Sequence, residues 1–167
     1  MIAKRDVLRL APAALVGGLG GGQAQAPADG RGLAEDERHI GALLTSYATA
    51  IDRRDWKLFA SCWTEDVVLD YHTLGRWEGR DAVVATFERM HAPFGPSLHK
   101  LSNFVIMVNG KRAKASSYVD SVLMQPKPRP MIFRGEGRYE DELVHGAEGW
   151  RIKAREFHPV LMTQSPQ

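Results

Sequence analysis

Apolar residues recur at helical spacing in the first half of the chain and at strand spacing in the second. Ile40, Leu43, Leu44, Tyr47 and Ile51 share one helical face, which predicts an amphipathic helix over 34–52. A short second helix is expected over 55–62, with Trp56, Phe59, Ala60 and Trp63 on one side. Residues 66–71 (Asp-Val-Val-Leu-Asp-Tyr) predict a short strand, and 75–79 a turn. A third helix over 81–91 uses Val83, Val84, Phe87 and Met90, and Pro93, Gly95 and Pro96 end it. The period then changes, and 99–108, 112–124, 131–144 and 149–160 predict long strands, the first two joined by a turn at Asn109-Gly110. Helices grouped first and strands run together predict an α+β fold, a curved antiparallel sheet packed on three N-terminal helices.

Composition places this pattern in one domain. The chain has 167 residues, 25% charged and 44% hydrophobic, as in ordinary globular proteins. A pI of 8.8 suggests nucleic acid as a partner, but the charge is localised. Lys4, Arg5 and Arg9 against Asp6 account for the whole formal charge of +2, so residues 27–167 are formally neutral. No net positive field is left to attract a phosphate backbone.

The basic start reads as a leader. Lys4 to Leu10 is a basic segment running into a mildly apolar, Gly-rich stretch, and Ala24-Gln25-Ala26 resembles a small-residue cleavage site. The pattern resembles a twin-arginine export signal with Lys4 in place of the first arginine. The expected organisation is an export signal over 1–26, a linker over 27–33, the domain over 34–160 and a tail over 161–167. The expected location is periplasmic or secreted; if 1–26 is instead a plain tail, it is cytoplasmic. No segment is long and apolar enough to span a bilayer, so no membrane partner is expected. Cys62 is the only cysteine and sits among apolar neighbours, as a core residue does.

Common cofactor and nucleophile motifs are absent: there is no GxGxxG unit, P-loop, HExxH, CxxC pair or G-x-S-x-G elbow. The six histidines include no close pair at helical metal spacing. Neither a cofactor nor a metal is expected.

Asp52 stands out. It lies at the C-terminal end of the first helix, where the helix dipole disfavours an anion; Arg53 and Arg54 suit that place and Asp52 does not. Pairing with a neighbouring arginine is one explanation. The other is His99, at the start of a strand, because Asp–His is a standard way to orient an imidazole base. Tyr47, Tyr71 and Arg155 have ordinary readings as packing or solvated strand residues. By strand phase Arg155 belongs with Arg151 and Lys153 rather than with Trp150 and Ile152, and only a bulge would turn it inward.

Taken together these residues form a pattern: a helix with Tyr-x4-Asp-x2-Asp-Trp, then Thr-Glu-Asp-Val-Val-Leu-Asp-Tyr, a Gly-x-x-Ala helix, His-x3-Asn, and a final Gly-Trp-Arg-Ile. Over about 34–157 the chain resembles the SnoaL-like family of the nuclear-transport-factor-2-like superfamily, cone-shaped α+β barrels. Three cofactor-free lyases of that superfamily are similar: scytalone dehydratase, hexachlorocyclohexane dehydrochlorinase and bile-acid 7α-dehydratase. The resemblance implies that Asp52 orients His99 as the base. It implies that Tyr47 and Tyr71 contact substrate oxygen and that Arg155 receives the leaving group. Scytalone dehydratase has a second histidine after a tyrosine in the next strand; here Tyr118 is followed by Val119, which argues against scytalone as substrate.

The expected activity is therefore a dehydratase or dehydrohalogenase acting on a small hydrophobic or polycyclic compound, in a homotrimer or homodimer. Two alternatives remain at this point. One is a ketosteroid-isomerase-like reaction with Asp70 as base and Tyr47 as oxyanion donor. The other is a non-catalytic binding protein similar to dioxygenase small subunits.

Overall fold

The computed structural model describes residues 30–166. The leader and the beginning of the linker lie outside them. Helices α1 (Gly30–Arg53), α2 (Trp56–Ser61) and α3 (Arg80–His91) precede or flank two short strands, β1 (Trp63–Asp70) and β2 (Arg76–Glu78). Four long strands follow: β3 (Ser97–Asn109), β4 (Arg112–Gln125), β5 (Met131–Gly146) and β6 (Gly149–Pro166). The expected tail at 161–167 is thus mostly the end of β6, paired with β5 as far as Met131↔Pro166.

The sheet has the order β2-β1-β6-β5-β4-β3. The α+β architecture is as expected, with two corrections. The sheet is mixed, because β1 lies parallel to β6. A helix and four strands separate β1 from β6 in sequence, so no hairpin dictates their relative direction. The sheet also curves without closing, since β2 and β3 are free edges. The expected turn at 75–79 contains β2, and the β3–β4 turn falls one residue later than predicted, with Asn109↔Arg112 as the closing pair and Gly110 at φ 58°.

The helices cover one face of the sheet. Ile40, Leu44, Tyr47 and Ile51 of α1 are at most 1% exposed. They pack with Phe59, Trp63, Val67, Leu69, Val83, Leu143 and Ile152 in one core. Trp150 of β6 donates its indole N–H to Asp36 of α1 at 2.8 Å, tying the helix to the last strand. Asp55 caps α2 by accepting the Leu58 N–H at 2.9 Å. In α3 the buried face is Val83, Phe87 and His91, while Met90, expected inside, is exposed.

Candidate active site

The site begins at the end of α1. Arg54 has φ 57°, its N–H bonds the Ile51 carbonyl at 3.1 Å, and the Asp55 N–H bonds the Ala50 carbonyl at 2.9 Å. This is a Schellman ending with arginine where glycine is usual, a left-handed conformation that costs an L residue roughly 1–2 kcal/mol. The side chain supplies compensation. Arg54 Nη1 donates to the Ile51 carbonyl at 2.5 Å and to Ser97 Oγ at 2.8 Å, and Nη2 donates to the Gly95 carbonyl at 2.9 Å. Arg54 therefore closes the helix and fastens it to the start of β3.

Asp52 is held in the same network. Its Oδ1 accepts from His99 Nδ1 at 2.7 Å and from Ser97 Oγ at 3.0 Å, and its Oδ2 accepts the His99 backbone N–H at 2.8 Å. Burial pushes this carboxyl up, but the bonds from the His99 ring, the His99 backbone and Ser97 together outweigh it and leave Asp52 below its ordinary value of 3.8. An ionised Asp52 fixes the proton of His99 on Nδ1, so Nε2 presents its lone pair. Nε2 carries no hydrogen bond among the described residues, and the His99 side chain is only 8% exposed.

Tyr47, Tyr71 and Arg155 form a second group deeper in the core. Tyr47 Oη lies 3.2 Å from Tyr139 Oη and 3.5 Å from Tyr71 Oη. The Arg155 guanidinium sits 4.1 Å from the Tyr47 ring centre and 4.0 Å from that of Tyr139. Burial raises the phenols of Tyr71 and Tyr139 well above their ordinary value, so both remain O–H donors. Arg155 is inward because β6 has a bulge: Glu142 pairs with Ala154 and Leu143 with Ile152, which leaves Lys153 as the extra residue and reverses the strand phase. Lys153 points out and pairs with Asp66 of β1.

The partner of Arg155 is Asp141, which sequence reasoning missed. Nε and Nη2 of Arg155 donate to its two carboxylate oxygens at 2.6 and 2.9 Å, with both side chains fully buried. Burial disfavours the guanidinium, but the Asp141 carboxylate outweighs that and holds Arg155 charged. Nη1, the remaining donor, is buried with no hydrogen-bond partner among the described residues. The alternation Tyr139-x-Asp141-x-Leu143 on one strand face was the available signal.

The structure thus brings Asp52 to His99, and Tyr47 to Tyr71 and Arg155, as two groups. They are linked by α1, along which Tyr47 and Asp52 are about 7.5 Å apart, and by a run of rings. Tyr71, Phe87, His91 and His99 follow one another at centroid spacings of 6.0, 5.8 and 6.0 Å. His91 was also missed. Burial lowers its imidazole to about 4, against the bond to the Phe87 carbonyl, so it is neutral near pH 7. Its position four residues after Phe87 on the buried face of α3 was the signal.

A groove of about 490 Å³ lies on the strands next to His99, lined by Ser121, Leu123, Phe133, Gly135 and Met162 and by the polar Arg134, Thr163 and Gln164. Ser121 is the ladder partner of His99. A Cβ on Gly135 would sit 2.9 Å from Ser121 Oγ, so the missing side chain keeps this floor open.

Asp70 does not fit the isomerase alternative. Its side chain is on the outer face of the sheet, where it accepts from Arg76 at 3.2 Å and from the His72 N–H at 2.8 Å, while Tyr47 is on the inner face. In β1 the buried residues are Val67 and Leu69, and alternation sends Asp70 outward. The one cluster of possible metal ligands among the described residues, His72, Glu156 and His158, is also away from the dyad.

The curved α+β sheet covered by helices is a fold shared with solved nuclear-transport-factor-2-like structures. The chain belongs to the SnoaL-like family, whose domain model matches residues 33–156. An uncharacterised protein of Mycobacterium tuberculosis is 29% identical over 129 residues, covering 72% of this chain and 82% of that one. Among solved structures, a candidate scytalone dehydratase of Novosphingobium aromaticivorans superposes with a TM-score of 0.72 at 28% identity, covering 79% of this chain and 88% of that one. A hexachlorocyclohexane dehydrochlorinase superposes with a TM-score of 0.69 at 15% identity, covering 80% and 90%, a likeness of fold.

Proposed function

We propose that the protein is a cofactor-independent lyase that eliminates water or a halide from a small hydrophobic or polycyclic substrate. The observation that carries this reading is the His99 ring, fixed by Asp52 at 2.7 Å with its Nε2 free. In the proposed step Nε2 takes a proton from carbon, the C–H electron pair becomes the new double bond, and the leaving group departs with its bonding pair from the adjacent carbon; a halide leaves as the anion, and a departing hydroxide takes up the imidazolium proton to leave as water. Asp52 stabilises the imidazolium that results. Tyr47, Tyr71 and Tyr139 supply O–H donors to a substrate oxygen, and Arg155 Nη1 supplies a fixed positive donor for the departing anion. Leu123, Phe133 and Met162 of the groove offer apolar contacts to a hydrophobic substrate, beside the polar Arg134, Thr163 and Gln164. The candidate scytalone dehydratase among the structural neighbours agrees with the reaction class, and the dehydrochlorinase shares the fold.

The test is a panel of β-hydroxy and vicinal halo compounds, scored by conjugated product absorbance and by halide release. Activity on any member, lost in both His99→Ala and Asp52→Asn, supports the reading. Full activity retained in both variants sinks it.

A further inference from the structure

The outer face of the sheet carries a group of residues that the lyase reading leaves unused. β1, β6 and β5 place Asp70, Glu156 and Glu140 side by side, since Asp70↔Glu156 and Glu140↔Glu156 are ladder partners. Like charges in directly opposed positions destabilise a sheet unless a cation intervenes. The two flanking carboxylates have one: Arg76 lies 3.2 Å from Asp70, and Arg138 lies 2.9 Å from Glu140. The central Glu156 has no Arg or Lys partner among the described residues. It faces two imidazoles instead, His72 Nε2 at 3.2 Å and His158 Nε2 at 3.6 Å, both from its Oε1.

We infer that His72, Glu156 and His158 form a binding site for a divalent first-row transition ion of the zinc class. Two imidazole nitrogens and a carboxylate oxygen suit such an ion, and are a poor set for magnesium or calcium. The three ligand atoms lie within 4.8 Å of one another. Tetrahedral coordination at about 2.0–2.1 Å requires ligand atoms about 3.3 Å apart, close to the two nitrogen–oxygen separations at Glu156. The nitrogens that converge are both Nε2. The other nitrogen of His72, Nδ1, lies on the side of Asp70, 3.8 Å from its Oδ1 and beyond hydrogen-bond reach, so a small ring turn would let that carboxylate orient a metal-bound histidine. Asp70 also accepts the His72 N–H at 2.8 Å, which fixes the turn that aims the ring.

The three ligand side chains are 43, 46 and 36% exposed, so an ion reaches the site directly from solvent and water can complete its shell. His72 follows Tyr71, and His158 lies three residues after Arg155. A bound ion would therefore clamp the turn carrying Tyr71 to the strand carrying Arg155. Metal binding is the readout, so this site stands or falls independently of the lyase reading.

The test is calorimetric titration of untagged, EDTA-stripped protein with Zn²⁺, repeated with Cu²⁺ followed by electron paramagnetic resonance. The expected result is one ion per chain with a Kd below about 10 μM, and Cu²⁺ spectra showing nitrogen ligation. His72→Ala, Glu156→Gln and His158→Ala should each weaken binding at least about tenfold, while His145→Ala should not. If His72→Ala disturbs its turn by near-ultraviolet circular dichroism, Glu156→Gln and His158→Ala decide. Weaker binding by the unaltered protein, or equal binding by the ligand variants, overturns the inference. So does a nuclear magnetic resonance titration in which both imidazoles take up a proton normally in the presence of equimolar Zn²⁺.

Discussion

Arg54 Nη1 donates to Ser97 Oγ at 2.8 Å, across the gap between the end of α1 and the start of β3. Ser97 in turn donates to Asp52. A residue in a conformation suited to glycine is therefore also the fastening that sets the Asp52–His99 geometry. Arg54→Gly separates the two roles. Glycine relieves backbone strain of roughly 1–2 kcal/mol, so the melting temperature should change by only a few degrees. Lyase activity should fall by about tenfold or more, because an aspartate that no longer holds its bonds orients the imidazole less well. Thermal melts and kinetics on the same preparation check this, and an unaltered rate would exclude a positioning role for Arg54.

The dyad variants should differ in kind. His99→Ala removes the proposed base, and Asp52→Asn keeps the shape but replaces a carboxylate acceptor with an amide. Both should lower kcat, by about 10²–10⁴-fold for His99, with a smaller change in KM. A loss confined to KM would point to binding rather than proton transfer.

Arg155 and Asp141 should behave as a structural unit. Asp141→Asn leaves the guanidinium buried without its counter-charge and should destabilise the fold by about 3–5 kcal/mol. Replacing both, as Asp141→Leu with Arg155→Met, should recover most of that loss while leaving the protein without a leaving-group donor. Urea denaturation of the two variants measures the recovery, and elimination assays measure the cost in rate.

His91 should make stability depend on pH in a defined window. Its imidazole is near 4 when folded, against an ordinary 6.5. Below pH 6.5 the unfolded chain takes up a proton that the folded protein refuses until about pH 4. Stability is therefore highest above 6.5 and declines as pH falls through that interval, by about 3 kcal/mol at most. Asp52, held below 3.8, contributes stability that is lost only at lower pH still. In His91→Gln the slope between pH 6.5 and 4 should flatten, as judged by urea midpoints at closely spaced pH values.

Helical and strand periods are local properties, so α1, α3 and β3 to β5 fall close to the bounds that the hydrophobic pattern predicts, while β6 runs past its predicted end at 160 to Pro166. Asp52 was detectable because an anion at a helix C-terminus violates a local rule, and His99 because it opens a strand after a proline-rich break. The direction of β1 against β6 and the open edges followed from pairings between distant segments, which no local period encodes.

The sequence by itself determined the helix-then-strand order, the apolar face of α1, the neutral domain and the Asp–His candidates. Only the tertiary structure decided which way Arg155 points. Strand alternation fixes a side chain's face only while the ladder is unbroken, and the extra residue at Lys153 reverses it. That reversal is favourable because Asp141, on the neighbouring strand, can match the guanidinium in a dry core, a complementarity that exists only once β5 and β6 are paired.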